Sequence, residues 1–388
     1  MQGTSLNAAV TRLSSQFSKE GKTRLLGPLS VVLATKLLIA WIVYLLATRS
    51  GAQFHTFWVD EWGISKPEWP LLFHGWDSAW YIRIAKTGYS YPAYAFLPAH
   101  PFMIRMAYLL IGDWILSSFI VSFLLGVAAV PMFQLLAENY MSKDQAAIVT
   151  LLFALFPPVF FFTSVAYTES LFLVAIIGTW FFCLRKQWFL STVLATVATL
   201  TKIYGFMIVL PLALRLVREG RKRAAFLAVF VTLTMLLGWG YYLFNVSGDL
   251  AAFWSSQNHW REGWPFGIYS VVRAVAESVL NPSGTSYVAL SQILIMILWI
   301  AVIALAGIPV VKSMEIDEEF GLYGTMLLIF LAAFGNVWSF GRFLPFVLPA
   351  WLTVRKARRA RLAAAIVMFP MVSLTVWYQF VILGVWIG

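Results

Sequence analysis

Long apolar runs constrain this chain more than any other feature of its sequence. A helix needs about 20 apolar residues to cross the hydrocarbon core of a bilayer. Eleven runs approach or reach that length, at 29–47, 114–137, 145–163, 168–184, 189–203, 205–217, 224–246, 286–311, 320–337, 342–354 and 362–386. They predict an all-α polytopic membrane protein, a bundle of about 11 transmembrane helices.

The composition excludes several other classes of protein. Only 12% of the 388 residues are charged and 61% are hydrophobic, whereas a soluble protein carries about 25% charged residues. This chain could therefore neither cover a soluble surface nor stay disordered. Its net charge of +11 indicates membrane topology, and we expect no nucleic-acid partner. The single cysteine, Cys183, excludes an internal disulfide and a cysteine-based metal cluster.

Three positions interrupt the apolar runs. Four of the runs are short and lie in pairs separated near Gly205 and Gly341, so we expect broken helices there. Non-helical backbone within a membrane is tolerated only where it lines a protein cavity. The first run contains Lys36, which we expect to extend along the helix to the inner membrane face.

The basic residues predict the orientation. With the N-terminus inside, alternating segments place 18 of the 28 Lys and Arg residues on the inner side, five of them at 215–223 and five at 355–361. Cytoplasmic loops carry such an excess of Lys and Arg. We therefore predict a cytoplasmic N-terminus.

This orientation leaves two long segments on the outer side, 49–113 and 247–285. Both are rich in aromatic residues, which favour the membrane interface, so we expect short interfacial helices in the first and no separate soluble domain. Residues 1–388 would then form one integral membrane domain, with 1–27 as a cytoplasmic segment.

The densest polar and aromatic cluster lies at 74–89. A helix over 78–87, ended by Gly88, would place Asp77, Trp80 and Tyr81 on one face. We expect that face to turn toward the bilayer, with a carboxylate at the lipid–water boundary. The alternative interpretation makes Asp77 only the N-cap of the helix.

Several motifs follow one another from this cluster to the last helices. They are Trp76-Asp77, Trp80-Tyr81, Ile84-Ala85, Gly88-Tyr89, Ala95-Phe96-Leu97-Pro98, Pro101 with Arg105, Tyr167-Thr168-Glu169-Ser170-Leu171-Phe172, Thr201-Lys202-Ile203-Tyr204-Gly205 and Gly341-Arg342-Phe343-Leu344-Pro345. Their order resembles the PIG-V-type mannosyltransferases, relatives of the second GPI mannosyltransferase in the GT-C superfamily. The chain departs from that pattern at His100, where a bulky apolar residue is expected, and at Lys202, which replaces an Arg.

The resemblance implies a GT-C-like bundle and a glycosyltransferase. The enzyme would transfer mannose, with inversion, from a polyprenyl (dolichyl-type) phosphate to a lipid-linked or glycan acceptor at the outer or luminal face. No Asp-x-Asp motif occurs, so we expect neither a metal nor another cofactor. Two alternatives stay open: a transporter or flippase of lipid-linked sugars, and a GT-C enzyme that uses another polyprenyl-phosphate sugar.

Direct displacement needs a base for the acceptor and cations for the leaving phosphate. Asp77 is the candidate base. Lys202 and Arg342 are the candidate phosphate ligands, because charges within apolar runs are costly and usually functional, although both could merely extend to the interface. Arg105 is a third candidate.

The remaining candidates would contact the sugar or the acceptor. They are Glu169, Trp76, Trp80, Tyr81, His100 and His259. Glu169 could instead cap its helix or orient an arginine, and the two histidines could be ordinary surface residues. The aromatics equally suit anchoring at the membrane interface.

Overall fold

The fold was analysed in a computed structural model. It describes residues 19–50, 69–261, 301, 303–334, 340–356 and 359–382. Over these residues the chain is helical, and no β-strand occurs among them, in agreement with the predicted all-α class.

Sixteen α-helices are described. The first eight are α1 (Lys19–Ser50), α2 (Asp77–Thr87), α3 (Ala99–Ile111), α4 (Trp114–Ala137), α5 (Lys143–Leu155), α6 (Pro157–Phe162), α7 (Glu169–Leu184) and α8 (Trp188–Thr201). The others are α9 (Val209–Arg218), α10 (Lys222–Ser247), α11 (Ala252–Arg261), α12 (Ile303–Met314), α13 (Glu318–Phe334), α14 (Phe340–Phe343), α15 (Leu348–Leu352) and α16 (Arg359–Ile382). Short 3₁₀ helices cover Trp69–Phe73, Ala93–Ala95, Ile203–Ile208, Leu344–Phe346 and Thr353–Lys356.

Three of the described helices are long and apolar enough to cross a bilayer unaided. They are Leu25–Arg49 within α1, Trp114–Ala137 and Lys222–Ser247. Shorter apolar helices such as α7 and α8 accompany them, because proline or a polar residue interrupts the apolar runs. The prediction of a multi-pass membrane protein is confirmed, whereas the count of 11 spans and the single domain over 1–388 stay predictions.

Helix α7 lies at the centre of the bundle and positions the site. Nearly all of its side chains are buried, including the fully buried Phe172 and Trp180, and it packs between α4 and α8. A helix that is apolar on all sides needs such a buried place. Its first residue, Glu169, is therefore held on a rigid element.

The predicted break near Gly205 is confirmed. Helix α8 ends at Thr201, Lys202 is extended (φ −144°, ψ 132°), and a 3₁₀ helix leads into α9. The turn folds back on α8 so closely that a Cβ at Gly205 would overlap the carbonyl group of Ala198 and lie 2.7 Å from the Thr199 nitrogen. Only glycine fits there.

We therefore expect Gly205→Ala to destabilise the protein by about 1–3 kcal/mol, because the overlapping atoms are backbone and cannot move aside. The melting temperature in detergent should fall. The matched control is Gly238→Ala in α10, where a Cβ has nothing within 4 Å and the melting temperature should hold. Equal melting temperatures for the two variants would contradict this packing.

The expectation that Lys36 extends to the inner membrane face is wrong. Its side chain is buried, with 3% of its surface exposed. The ammonium donates to the Phe160 carbonyl (3.0 Å), Thr163 Oγ1 (2.8 Å) and Ser164 Oγ (2.6 Å). The ion lies inside the bundle because the end of α6 supplies these oxygens.

An ion-pair network closes the other end of α7. Arg215 donates to Asp317 (2.9 Å), which also accepts from the Tyr140 hydroxyl (2.7 Å), and Tyr140 accepts from the Trp180 indole N–H (2.9 Å). Arg218 pairs with acids at the start of α13. Arginines from one basic cluster of the sequence thus join α9 to α13.

Candidate functional site

The candidate site forms where four elements end or begin. Asp77 opens α2, Glu169 opens α7, Lys202 follows α8, and Arg342 lies in α14. Three of these positions adjoin irregular backbone, as expected where a membrane protein lines a polar site. These residues lie up to 265 positions apart in the sequence, but all four side chains come together in the folded chain.

Arg342 links the two carboxylates. Its Nε donates to Glu169 Oε1 (2.6 Å) and its Nη1 donates to Asp77 Oδ2 (3.1 Å). Among the described residues, its third nitrogen, Nη2, has no acceptor. Charge-assisted hydrogen bonds of this kind fix a guanidinium in one orientation, so Arg342 holds Asp77 and Glu169 in a defined relation.

Lys202 joins the cluster through Glu169. Its ammonium lies 3.0 Å from Glu169 Oε1, the oxygen that Arg342 also binds. Glu169 Oε2 is buried and has no hydrogen-bond partner in the described structure. The two cations balance the two carboxylates, so the four-residue cluster carries no net charge.

Aromatic rings enclose both cations. The Arg342 guanidinium lies 4.8 Å from the ring centre of Phe162 and 4.7 Å from that of Tyr167. Lys202 lies 5.4 Å from the ring centre of Phe343. Cations over ring faces gain electrostatic attraction that grows as water is excluded, so these rings stabilise charges that the membrane interior would otherwise exclude.

The four side chains of the cluster differ in their exposure to solvent. The Asp77 side chain is 24% exposed and that of Lys202 is 11% exposed, whereas Arg342 and Glu169 stand at 5% and 2%. A ligand that approaches from solvent therefore meets the Asp77 carboxylate and the Lys202 ammonium first. Arg342 and Glu169 form the layer beneath.

The N-cap interpretation of Asp77 is wrong. The cap position is Trp76, whose φ of 46° is unusual for a non-glycine residue, and Asp77 is already helical. The Asp77 side chain accepts from Arg342, and its Oδ1 accepts from none of the described residues. One oxygen of the carboxylate thus remains for a ligand.

Helix α2 begins and ends close to the prediction, but its apolar face does not turn to the bilayer. It ends at Gly88, whose φ is +86°. Tyr81 is buried in a cluster that also includes Ile104 and Trp114 of the neighbouring helices. This face packs against other helices of the same chain, because α3 and α4 cover it.

The other predicted sugar or acceptor contacts differ in their exposure to solvent and in the rings that they contact. Trp76 is 44% exposed, and Trp80 stacks on Phe96 with ring centres 6.3 Å apart. His259, on α11, lies edge-on to Tyr91 at 5.5 Å. Their contacts with a sugar stay predictions.

His100 is fully buried, which the surface interpretation did not anticipate. Its ring lies edge-on to Tyr81 at 5.1 Å, and neither ring nitrogen has a partner among the described residues. Burial lowers the pKa of His100 to about 3. The ring is therefore neutral at physiological pH.

This pKa predicts how stability depends on pH. Since an unfolded histidine has a pKa of about 6.5, only the unfolded chain gains this proton as the pH falls below 6.5, and the free energy of unfolding decreases. The His100 contribution amounts to about 2 kcal/mol at pH 5. Replacement of the ring in His100→Gln should flatten the fall in melting temperature between pH 7.5 and 5. An equally steep fall in the variant would refute the assignment.

Arg105 is not brought into the cluster. Its guanidinium is exposed and donates to the Ala85 carbonyl (3.2 Å) near the end of α2, and it forms no ion pair with a described residue. This contact fastens α2 to α3, so we leave Arg105 out of the proposed phosphate site.

Sequence reasoning missed the residues that support the cluster. Phe162, Tyr167 and the buried Tyr204 surround its cations. Aromatic residues are so frequent in this chain that their type alone marks none of them. The available signal was position, since each lies within a few residues of an interruption of an apolar run.

The described residues contain no group of three His, Cys, Asp or Glu side chains arranged to hold a metal ion. That the chemistry proceeds without a metal stays a prediction.

Comparisons with known proteins agree with the resemblance. Residues 56–218 match the sequence model of a family described as mannosyltransferase (PIG-V). No curated protein matches the chain significantly. The matched region includes Asp77, Glu169 and Lys202, but not Arg342.

Two solved structures share the fold. ArnT from Cupriavidus metallidurans bound to undecaprenyl phosphate superposes with a TM-score of 0.52 at 15% identity, over 87% of this chain and 62% of that chain. The apo state of that protein gives a TM-score of 0.50 at 12% identity, over 87% and 61% of the two chains. This chain thus spans about three fifths of ArnT, and the likeness shows that the two proteins share a fold.

Proposed function

We propose that this chain, whose residues 56–218 match the model of the mannosyltransferase (PIG-V) family, transfers mannose from a polyprenyl phosphate to a hydroxyl of a lipid-linked or glycan acceptor. The reaction inverts the anomeric carbon. The observation that carries this proposal is the cluster in which a partly exposed carboxylate, Asp77, lies beside two cations. The undecaprenyl phosphate bound by ArnT, which shares the fold, supports a lipid phosphate as the leaving group.

Asp77 acts as the general base. The acceptor hydroxyl gives its proton to Oδ1 while its oxygen forms the bond to the anomeric carbon. Arg342 holds the other oxygen of Asp77 at 3.1 Å, which fixes the direction of the free lone pair. A base must lie within hydrogen-bond reach of the proton it removes, and this position at the exposed edge of the cluster meets that need.

Lys202 and Arg342 receive the leaving phosphate. As the bond from the anomeric carbon to the phosphate oxygen breaks, its electron pair stays on that oxygen and the phosphate gains a negative charge. The Lys202 ammonium and Arg342 Nη2 stabilise this charge more strongly in the transition state than in the bound donor. Cations that ion pairs hold in place, with little exposure to water, suit this task.

Glu169 keeps the two cations in place between turnovers. It contacts both through one oxygen, and without it two positive charges would repel each other in a buried site. The site faces the outside of the cell, or the lumen of the endoplasmic reticulum, because the opposite ends of the helices carry the basic clusters.

The test uses the purified protein in proteoliposomes with radiolabelled polyprenyl-phosphate-mannose and a membrane lipid extract as acceptor. We expect labelled mannose in a new product and release of polyprenyl phosphate. Donors that carry glucose or arabinose should react more slowly. Movement of the intact donor across the bilayer without a new glycosidic bond would overturn the proposal in favour of a flippase.

A further inference from the structure

Lys36 is a buried charge that the proposed reaction does not use. Its ammonium lies in the first membrane helix, and no carboxylate lies within 4 Å of it among the described residues. Ionisable groups inside a membrane are expensive and usually functional. Its three N–H groups meet three oxygens, of Phe160, Thr163 and Ser164, so the ion is fully satisfied by neutral acceptors.

These oxygens lie at the C-terminal end of helix α6, where its regular hydrogen bonding stops. The Ser164 N–H donates to the Phe161 carbonyl instead of the Phe160 carbonyl (2.8 Å), so the Phe160 carbonyl loses the partner that a continuous helix would provide. Lys36 and the Ser164 hydroxyl (2.6 Å) replace that partner. A cation is also favoured at the negative end of a helix.

The same segment supports the candidate site. Phe162 directly precedes Thr163, and Tyr167 lies three residues beyond Ser164. Both rings contact the Arg342 guanidinium, at 4.8 and 4.7 Å. Glu169, the ion-pair partner of Arg342, follows two residues later. The segment from Phe160 to Glu169 therefore joins Lys36 to Arg342.

We propose that Lys36 is a positioning residue: by fixing the interrupted backbone at Phe160–Ser164, it holds the Phe162 and Tyr167 rings and so the orientation of Arg342. Stability alone does not account for this lysine, because an apolar side chain of similar volume often replaces a buried charge without loss of stability. The effect on catalysis rests on the proposed function, whereas the effect on the segment does not.

The experiment compares the wild type with Lys36→Met in lipid nanodiscs, by amide hydrogen exchange and by kinetics. Met keeps the length of the side chain and removes its donors. We expect faster exchange of the amides of residues 164–167, which are hydrogen-bonded in the intact segment. We also expect kcat to fall on the order of 100-fold with KM nearly unchanged, since a small displacement of a catalytic group has that effect.

Two further variants make the test specific. Lys312→Met removes an exposed lysine from α12 and should change neither exchange nor kcat. Ser164→Ala removes one acceptor of Lys36. It should speed amide exchange and lower kcat as Lys36→Met does, but by a smaller factor. It therefore tests the proposal if Lys36→Met fails to fold.

Unchanged exchange at residues 164–167 would overturn the proposal. So would faster exchange with an unchanged kcat, because the segment would then move without consequence for Arg342. If the wild type transfers no mannose, the proposed function fails, and the exchange result still decides whether Lys36 holds the segment.

Discussion

Asp77→Asn should reduce mannosyl transfer between about 100-fold and 10⁴-fold, the range that a general base contributes. The amide keeps the shape of the side chain and an oxygen that can accept from Arg342, but it cannot take a proton from the acceptor. Binding of the donor should change little, because the phosphate contacts other residues. The measurement is the initial rate of transfer in proteoliposomes, with donor binding determined separately.

Asp113→Asn is the matched control. Asp113 caps α4, with Leu116 N–H donating to its carboxylate at 2.7 Å, and asparagine is an equally good cap. Its rate should equal that of the wild type. Full turnover by Asp77→Asn would remove Asp77 from the role of base.

Arg342→Lys should reduce transfer by about 100- to 1000-fold, as expected for the loss of a donor that stabilises a developing negative charge. Lysine keeps the charge, so Glu169 retains a cationic partner and the protein should fold. It lacks the planar fork that joins Glu169 to Asp77 while a third nitrogen stays available. The initial rate and the affinity for polyprenyl phosphate should both fall.

Arg105→Lys makes the same chemical change at an exposed arginine outside the cluster. The rate should stay within about threefold of the wild-type rate, since surface contacts of this kind contribute little. A loss of activity as large as that of Arg342→Lys would mean that Arg105 belongs to the phosphate site after all.

The sequence predicted which charged residues come together better than it predicted what surrounds them. Asp77, Glu169, Lys202 and Arg342 were all singled out, because charged groups within or beside apolar runs are few and costly. Their contacts could not be predicted from the spacing in the sequence, since residues that touch in the structure are 33 to 265 positions apart in the chain. Only the three-dimensional packing of α7 against α8, and of α14 against α6, brings them together.

The errors have a common physical cause. Lys36 and the apolar face of α2 were both assigned to the lipid or its boundary, and both lie against protein. The sequence pattern of apolar residues is the same whether lipid or another helix covers them, so hydropathy cannot separate the two environments. The number of spans does not follow from hydropathy for the same reason, because short buried helices and true crossings share one composition.

The anomeric configuration of the product tests the central claim most directly. The wild-type protein, supplied with polyprenyl-phosphate-mannose of known configuration, should form a mannoside of the opposite configuration, as determined by NMR of the purified product. Inversion follows from one direct displacement with Asp77 as base and the lipid phosphate as leaving group. A product of retained configuration would contradict this account.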